Sequence, residues 1–309
     1  MTTSPAPAPI FIIGAPRSGT SVMTWALGQH PNIQPMPETV WIAGACVGAY
    51  QAYLSGSDRG KFSHLSNVDY PLDRFLERNG LAINQIVHDA YDMRLEQTYG
   101  ADRHPPANWL KRDDWLHLKR SVDDPKQCWV DGTPLNTFYT WALAQMFPGA
   151  KFLHHIRAPH KVIASLEKFD QVGASPVQRA QGLDTWLRHA RASWWTEQAL
   201  GSKRVYRVDF SRLEREPKAL LDDICAFLGE SPSEHCLNPL NQRLNSSGTH
   251  GEDLRDSMAD KLKGFAEAEA LYQTIMEAPT DLPGGDETAE AELRALFEML
   301  AQNRPLVGE

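Results

Sequence analysis

Positive charge is what this sequence is short of: 31 Lys and Arg stand against 39 Asp and Glu, a formal charge of −8 with a pI near 5.8. A surface of that sign does not attract nucleic acid or anionic lipid as a general partner, so neither is expected, and any anionic ligand must be met by local arginines and backbone amides. Cysteine is scarce as well. Cys46, Cys128, Cys225 and Cys236 lie apart, without the pairing of a metal site. No leader-like or membrane-length apolar run accompanies them, which points to reduced thiols, no metal centre, no membrane span and a cytoplasmic setting. No internal repeat is visible. Residues 1–9 have too much proline and too few bulky side chains to pack, and read as a disordered tail.

What is present is an ordinary globular composition, 309 residues with 42% apolar side chains, enough for a sizeable core. Its most informative run is Gly14-Ala15-Pro16-Arg17-Ser18-Gly19-Thr20-Ser21, directly behind the apolar Ile10-Phe11-Ile12-Ile13 and directly ahead of a helix-like segment. A strand entering a glycine-bearing turn and then a helix directs several backbone N–H groups, and the positive end of a helix dipole, at one spot. The spacing of Gly14 and Gly19 follows the nucleotide-binding phosphate loop, but Thr20 stands where that loop carries its lysine. The run therefore marks a phosphate site and argues against a magnesium-bound nucleoside triphosphate.

Downstream, residues 40–126 read as a mostly helical insertion or cap over the sheet, with polar loops at Ser55–Pro71 and Gly100–Pro106. Strand-like segments return at Cys128–Val130, Lys151–Ile156 and Arg204–Val208. They alternate with helices over about Asn136–Met146, from Pro159, over Val177–Leu200 and over Pro217–Leu228. Helix patterns near 255–277 and 286–302 read as peripheral packing. The alternation predicts an α/β fold, a phosphate-loop-type parallel sheet with helices on both faces, as a single domain over residues 10–309. In such a sheet ligands bind beyond the carboxyl ends of the strands. Arg17 and Arg157 both fall there, after Ile13 and Ile156, and guanidinium suits phosphate or sulfate because its planar fork donates paired hydrogen bonds. Ser165, eight residues past Arg157, is two helical turns on and within reach of the same anion.

Taken together, Pro16-Arg17-Ser18-Gly19-Thr20-Ser21, His30-Pro31-Asn32, Pro37-Glu38-Thr39, Phe147–Phe152, Arg157-Ala158-Pro159, Ser165-Leu166, Leu213–Pro217 and Phe227-Leu228-Gly229 resemble sulfotransferases that use 3′-phosphoadenosine 5′-phosphosulfate, in particular the bacterial and tyrosylprotein-type branch. The resemblance implies that Pro16, Arg17, Ser18, Gly19, Thr20 and Ser21 hold the 5′-phosphosulfate. Arg157 and Ser165 then hold the 3′-phosphate, and adenosine 3′,5′-bisphosphate is the product. It implies Glu38 as the base that accepts a proton from a hydroxyl or amine acceptor, Arg17 as the cation at the developing negative charge, and no metal. Ser246 and Ser247 fall in a polar loop of the kind that closes over the donor in related enzymes. The acceptor, small molecule or peptide, is left open, and oligomeric state carries no signal.

The sequence also departs from that family. Gly132 and Pro134, in Asp131-Gly132-Thr133-Pro134, stand where many members carry a leaving-group lysine and some a basic histidine. Phe210 stands where a tyrosine often contacts the nucleotide. Two rival readings follow. One is a phosphate-loop kinase with Asp131 as the magnesium-holding carboxylate; the other is a nucleotide-binding relative without turnover.

Overall fold

The structure, a computed structural model, describes residues 8–101, 119, 121, 123–168, 175–243 and 252–303. Strands β1 (Ile10–Gly14), β2 (Ile33–Pro35), β3 (Cys128–Asp131), β4 (Lys151–Ile156) and β5 (Val205–Asp209) form one all-parallel sheet in the order β2-β3-β1-β4-β5. This is the α/β sheet expected from the alternating pattern.

Period-two alternation in β1 feeds two cores. Phe11 and Ile13 face a cluster with Trp129, Phe152, Ile42 and Phe297, whereas Ile10 and Ile12 face Met23, Leu27, Val130 and Leu153. Every residue of β1 and β3 is buried, as expected for strands covered on both sides.

The helices are α1 (Thr20–Gly28), α2 (Val40–Ser57), α3 (Leu72–Tyr99), α4 (Thr140–Met146), α5 (Pro159–Glu167), α6 (Arg179–Leu200), α7 (Phe210–Arg215), α8 (Pro217–Leu228), α9 (Asn238–Arg243), α10 (Glu252–Lys261), α11 (Phe265–Glu277) and α12 (Glu287–Gln302). Prolines start α5 and α8, where their missing N–H would be unpaired anyway, and Gly229 closes α8 in the left-handed conformation. Among the described residues, no helix is long and apolar enough to cross a membrane.

The connections position the site. From β1 the chain leaves through α1 toward β2 on one side of the sheet. From β4 it leaves through α5 and α6 toward β5 on the other. β1 and β4 are adjacent, so their carboxyl ends flank a topological switch point, where divergent loops open a crevice.

Three local expectations need correction. The helix expected over Asn136–Met146 is a three-ten turn, Pro134–Tyr139, followed by the short α4. It is held tight because Asn136 and Thr137 are drawn into polar contacts at the strand ends. β2 was not anticipated: it is three residues long and ends in Pro35, which only an edge strand tolerates. The C-terminal pattern near 286–302 is not peripheral. Leu293, Phe297 and Ala301 of α12 lie in the central core, with the Phe297 ring 5.3 Å from both Tyr50 and Trp141. Phe297 is fully buried, so Phe297→Ala is expected to destabilise the protein by about 3–5 kcal/mol in urea unfolding. A loss under 1 kcal/mol would return α12 to the periphery.

Candidate functional site

The turn after β1 is bent by two left-handed residues, Arg17 (φ 70°) and Gly19 (φ 91°). Gly19 needs its conformational freedom, and it also lacks room: a Cβ there would lie 2.8 Å from the Phe210 ring. Arg17 has no such excuse, since a non-glycine residue in this region stores roughly 1–3 kcal/mol of strain and persists only where its surroundings enforce it. Those surroundings are the two residues expected to share its ligand. Arg157 Nη1 donates to the Arg17 carbonyl at 2.9 Å, and Arg17 Nε donates to Ser165 Oγ at 2.9 Å. The structure thus brings Arg17, Arg157 and Ser165 together at the switch point.

Arg157 is itself held in place. Its guanidinium stacks on Phe210 at 4.1 Å, and its carbonyl accepts Trp186 Nε1–H at 2.9 Å. Burial, opposed by Glu214 and reinforced by the charge of Arg17, holds it below the ordinary arginine range. Among the described residues its Nε has no partner, and neither has Ser18 Oγ, on a residue 1% exposed. Unpaired buried donors are costly unless a ligand completes them. Gly19, which caps α1, adds no side-chain cap to that helix's first amides. An anion fits this donor set; a cation does not.

Two supports under the loop were not legible as site residues. Thr137 Oγ1 accepts the Gly14 N–H at 3.0 Å. The buried His155 meets the Ser18 carbonyl through Nδ1 at 3.2 Å. A carbonyl can only accept, so Nδ1 carries a proton and donates it. Burial pushes its pKa down to about 4 despite the Ser18 contact, and neighbouring His154 lowers it further. His154 points to the opposite face of β4, where it contacts Glu197. Arg207 grips the same carboxylate, with Nη2 at 2.6 Å. Burial alone would raise Glu197, but His154 and Arg207 outweigh it and hold the carboxyl below its usual range.

Asp131, the rival magnesium ligand, is fully buried and already saturated. Oδ1 accepts Thr133 N–H at 2.9 Å and Thr133 Oγ1–H at 2.5 Å, and Oδ2 accepts Asn136 Nδ2–H at 2.8 Å and the Thr39 hydroxyl. At Gly132 an added Cβ would lie 2.0 Å from Thr24 Oγ1, so Thr24 occupies the start of any side-chain path there. Glu38 is exposed on the loop between β2 and α2, past the carboxyl ends of β2 and β3 and two strands from the cradle turn. Among the described contacts nothing joins its carboxylate to the cradle. Pro16, Thr20 and Ser21 lie in the turn or the first turn of α1, whereas Ser246 and Ser247 lie outside the described residues.

The sequence model of the family described as the Sulfotransferase family matches residues 9–234. A protein-tyrosine sulfotransferase 2 from Gallus gallus is 23% identical over 275 residues, covering 88% of this chain and 64% of its own length, so the chain spans less than two thirds of that relative. Among solved structures, the sulfotransferase domain of the Synechococcus PCC 7002 olefin synthase is 23% identical. It covers 96% of this chain and 95% of its own, at a TM-score of 0.44. A sulfotransferase from Alicyclobacillus acidocaldarius is 19% identical, covering 90% and 98%, also at 0.44.

His155 and His189 both titrate near pH 4 when folded, each chiefly because burial penalises the cation, against about 6.5 when unfolded. Between those values the unfolded chain binds more protons, so stability is expected to fall as pH drops from 6.5 toward 4 and to stop falling on their account below that. Urea unfolding at pH 6.5 and 5 should show a smaller loss in His155→Gln than in the parent; an equal loss would exclude His155 as a contributor.

Proposed function

The chain belongs to the sulfotransferase family, and on that premise we propose that it moves the sulfuryl group of 3′-phosphoadenosine 5′-phosphosulfate to a hydroxyl acceptor, or an amine, by in-line displacement. The observation that carries this reading is the clasp of Arg17, Arg157 and Ser165, with Ser18 Oγ and Arg157 Nε buried beside it and unpartnered among the described residues. One strained turn bridges two anion-binding groups, as a donor phosphorylated at both ends of its ribose requires. Asp131, with both oxygens engaged, gives the phosphate-loop kinase reading little support.

When bound, the donor supplies the sulfuryl group and a bisphosphate leaving group. The residues divide the remaining work. The amides of the turn, with Ser18, Thr20 and Ser21, face the 5′ end, and Arg157 and the Ser165 hydroxyl take the 3′-phosphate. Arg17 spans the two and neutralises charge on the bridging oxygen, the kind of preorganised stabilisation that supplies several kcal/mol. Glu38 accepts the acceptor's proton. Helices α2 and α3 are assigned to the acceptor side, and the acceptor is a small molecule or a peptide. The setting is cytoplasmic. Steric closure at Gly132 favours one second reading, a donor-binding relative without turnover.

Adenosine 3′,5′-bisphosphate without metal is expected to raise stability by about 2.7 kcal/mol at one hundred times its Kd. ATP with magnesium should do less, and Arg157→Ala should abolish the shift; a larger response to ATP with magnesium would favour the kinase. Glu38→Gln is expected to keep the bisphosphate shift and to lose about 10²–10⁴-fold in turnover, assayed with labelled donor against an alkanol, a phenol, a sugar, an amine and a tyrosyl peptide. Full turnover in that variant would remove Glu38 as the base. Donor binding by the parent chain with transfer to none of the five acceptors would favour the non-catalytic reading.

A further inference from the structure

We propose that Asp131 is a positioning residue: a buried carboxylate that fixes the loop bearing Glu38 relative to the anion cradle. The inference rests on the reading of Glu38 as the base.

Glu38 sits in a two-residue span, Pro37-Glu38, between two anchors on the same strand. On one side Met36 N–H donates to the Val130 carbonyl at 2.9 Å. On the other, Thr39 is held twice, its N–H donating to Thr133 Oγ1 at 2.7 Å and its hydroxyl to Asp131. Proline fixes one of the few torsions left within the span. Thr133 Oγ1 accepts from Thr39 and spends its own proton on Asp131, so both bonds that Thr39 donates lead to that carboxylate.

The same carboxylate is tied to the cradle by two routes. Gly132 packs against Thr24 and the Thr20 carbonyl of α1, closely enough that a Cβ would lie 2.0 Å from the Thr24 hydroxyl. Asn136, held by Asp131 Oδ2 at 2.8 Å, precedes Thr137, whose hydroxyl accepts the Gly14 N–H at 3.0 Å. The distance from the base loop to the cradle is therefore set by residues 131–137, with Asp131 as their shared acceptor. A carboxylate suits the place because it offers acceptor sites on both oxygens and no donor of its own; asparagine would turn an N–H toward groups that already donate. A misplacement of about 1 Å in a reacting group costs on the order of 10²-fold in rate.

Thr39→Val removes one hydroxyl at nearly constant volume. It is expected to leave the Kd for adenosine 3′,5′-bisphosphate within about twofold and to lower kcat about 10–100-fold. Amide exchange should rise at residues 38–40 but not at 17–21. Thr39→Ser should restore both readouts, and Asp131→Asn should act in the same direction as Thr39→Val. In a Glu38→Gln background Thr39→Val should cause no further fall. Unchanged exchange at 38–40, unchanged kcat, or bisphosphate affinity lost in parallel with kcat would overturn the inference. Full turnover in Glu38→Gln alone overturns the base reading instead. If Asp131→Asn does not fold, the Thr39 pair carries the test by itself.

Discussion

Arg17 in a left-handed backbone conformation is the constraint on which the site depends. Neither intrinsic preference nor a tight neighbour puts it there. It is kept by bonds reaching across 140 and 148 residues of sequence, from Arg157 to its carbonyl and from its own Nε to Ser165. Remove either and the turn is free to relax toward an ordinary right-handed conformation, taking the aim of the Ser18 hydroxyl with it. The sheet makes the clasp possible. β1 and β4 are hydrogen-bonded neighbours with Gly14 level with His155, so the two turns that leave them are adjacent, and the opposed exits of α1 and α5 keep the crevice open between them. Gly14 is required at that level for another reason: a Cβ there would lie 2.3 Å from the His155 carbonyl oxygen.

Much of this was legible in the sequence because it is local or periodic. Ile10–Ile13 followed by two glycines at phosphate-loop spacing is a strand-turn-helix statement that needs no tertiary information, and Pro159 and Gly229 mark helix ends by backbone chemistry alone. Arg17 and Arg157 could be assigned to one rim from the rule for parallel sheets, although only coordinates reveal that Arg157 bonds the Arg17 backbone. What the sequence hid is what depends on long-range contact. Asp131 reads as a possible metal ligand at a strand end until its four donors are seen, three of them from residues within five positions and one from Thr39. His155 reads as one of two strand histidines, with nothing to tell which lies beneath the loop. Phe297 sits in an exposed-looking amphipathic helix whose burial comes from Tyr50 and Trp141, far away in the chain. Three residues ending in proline are too little periodic signal for β2.

The charge balance of the chain bears on how such a site binds. At −8, the net charge of the protein works against a polyanion at long range. On the proposed reading, recruitment therefore falls to donors that act at contact: two guanidiniums, a buried hydroxyl and the first amides of α1, where burial makes each bond stronger than at the surface. Burial, and after it the charge of Arg17, lowers the pKa of Arg157, and the close approach of the two cations is tolerated in the free protein because Arg157 is braced on Phe210 and on a carbonyl. An anion between them converts that repulsion into two attractions.

The same logic bears on Gly132. Were a lysine to replace it, its stem would have to pass the Thr24 hydroxyl, which is committed to the Thr20 carbonyl at 3.0 Å. The absence of a side chain is what lets the β3 turn rest directly on α1, and on the proposed role of Asp131 that contact fixes where Glu38 stands. On the proposed reading, Arg17 gives electrophilic help to the leaving group, its Nε held by Ser165. The crowding at Gly132 and the strain at Arg17 thus fall on the two turns that meet α1, one resting on Thr24 and the other held by Arg157 and Ser165.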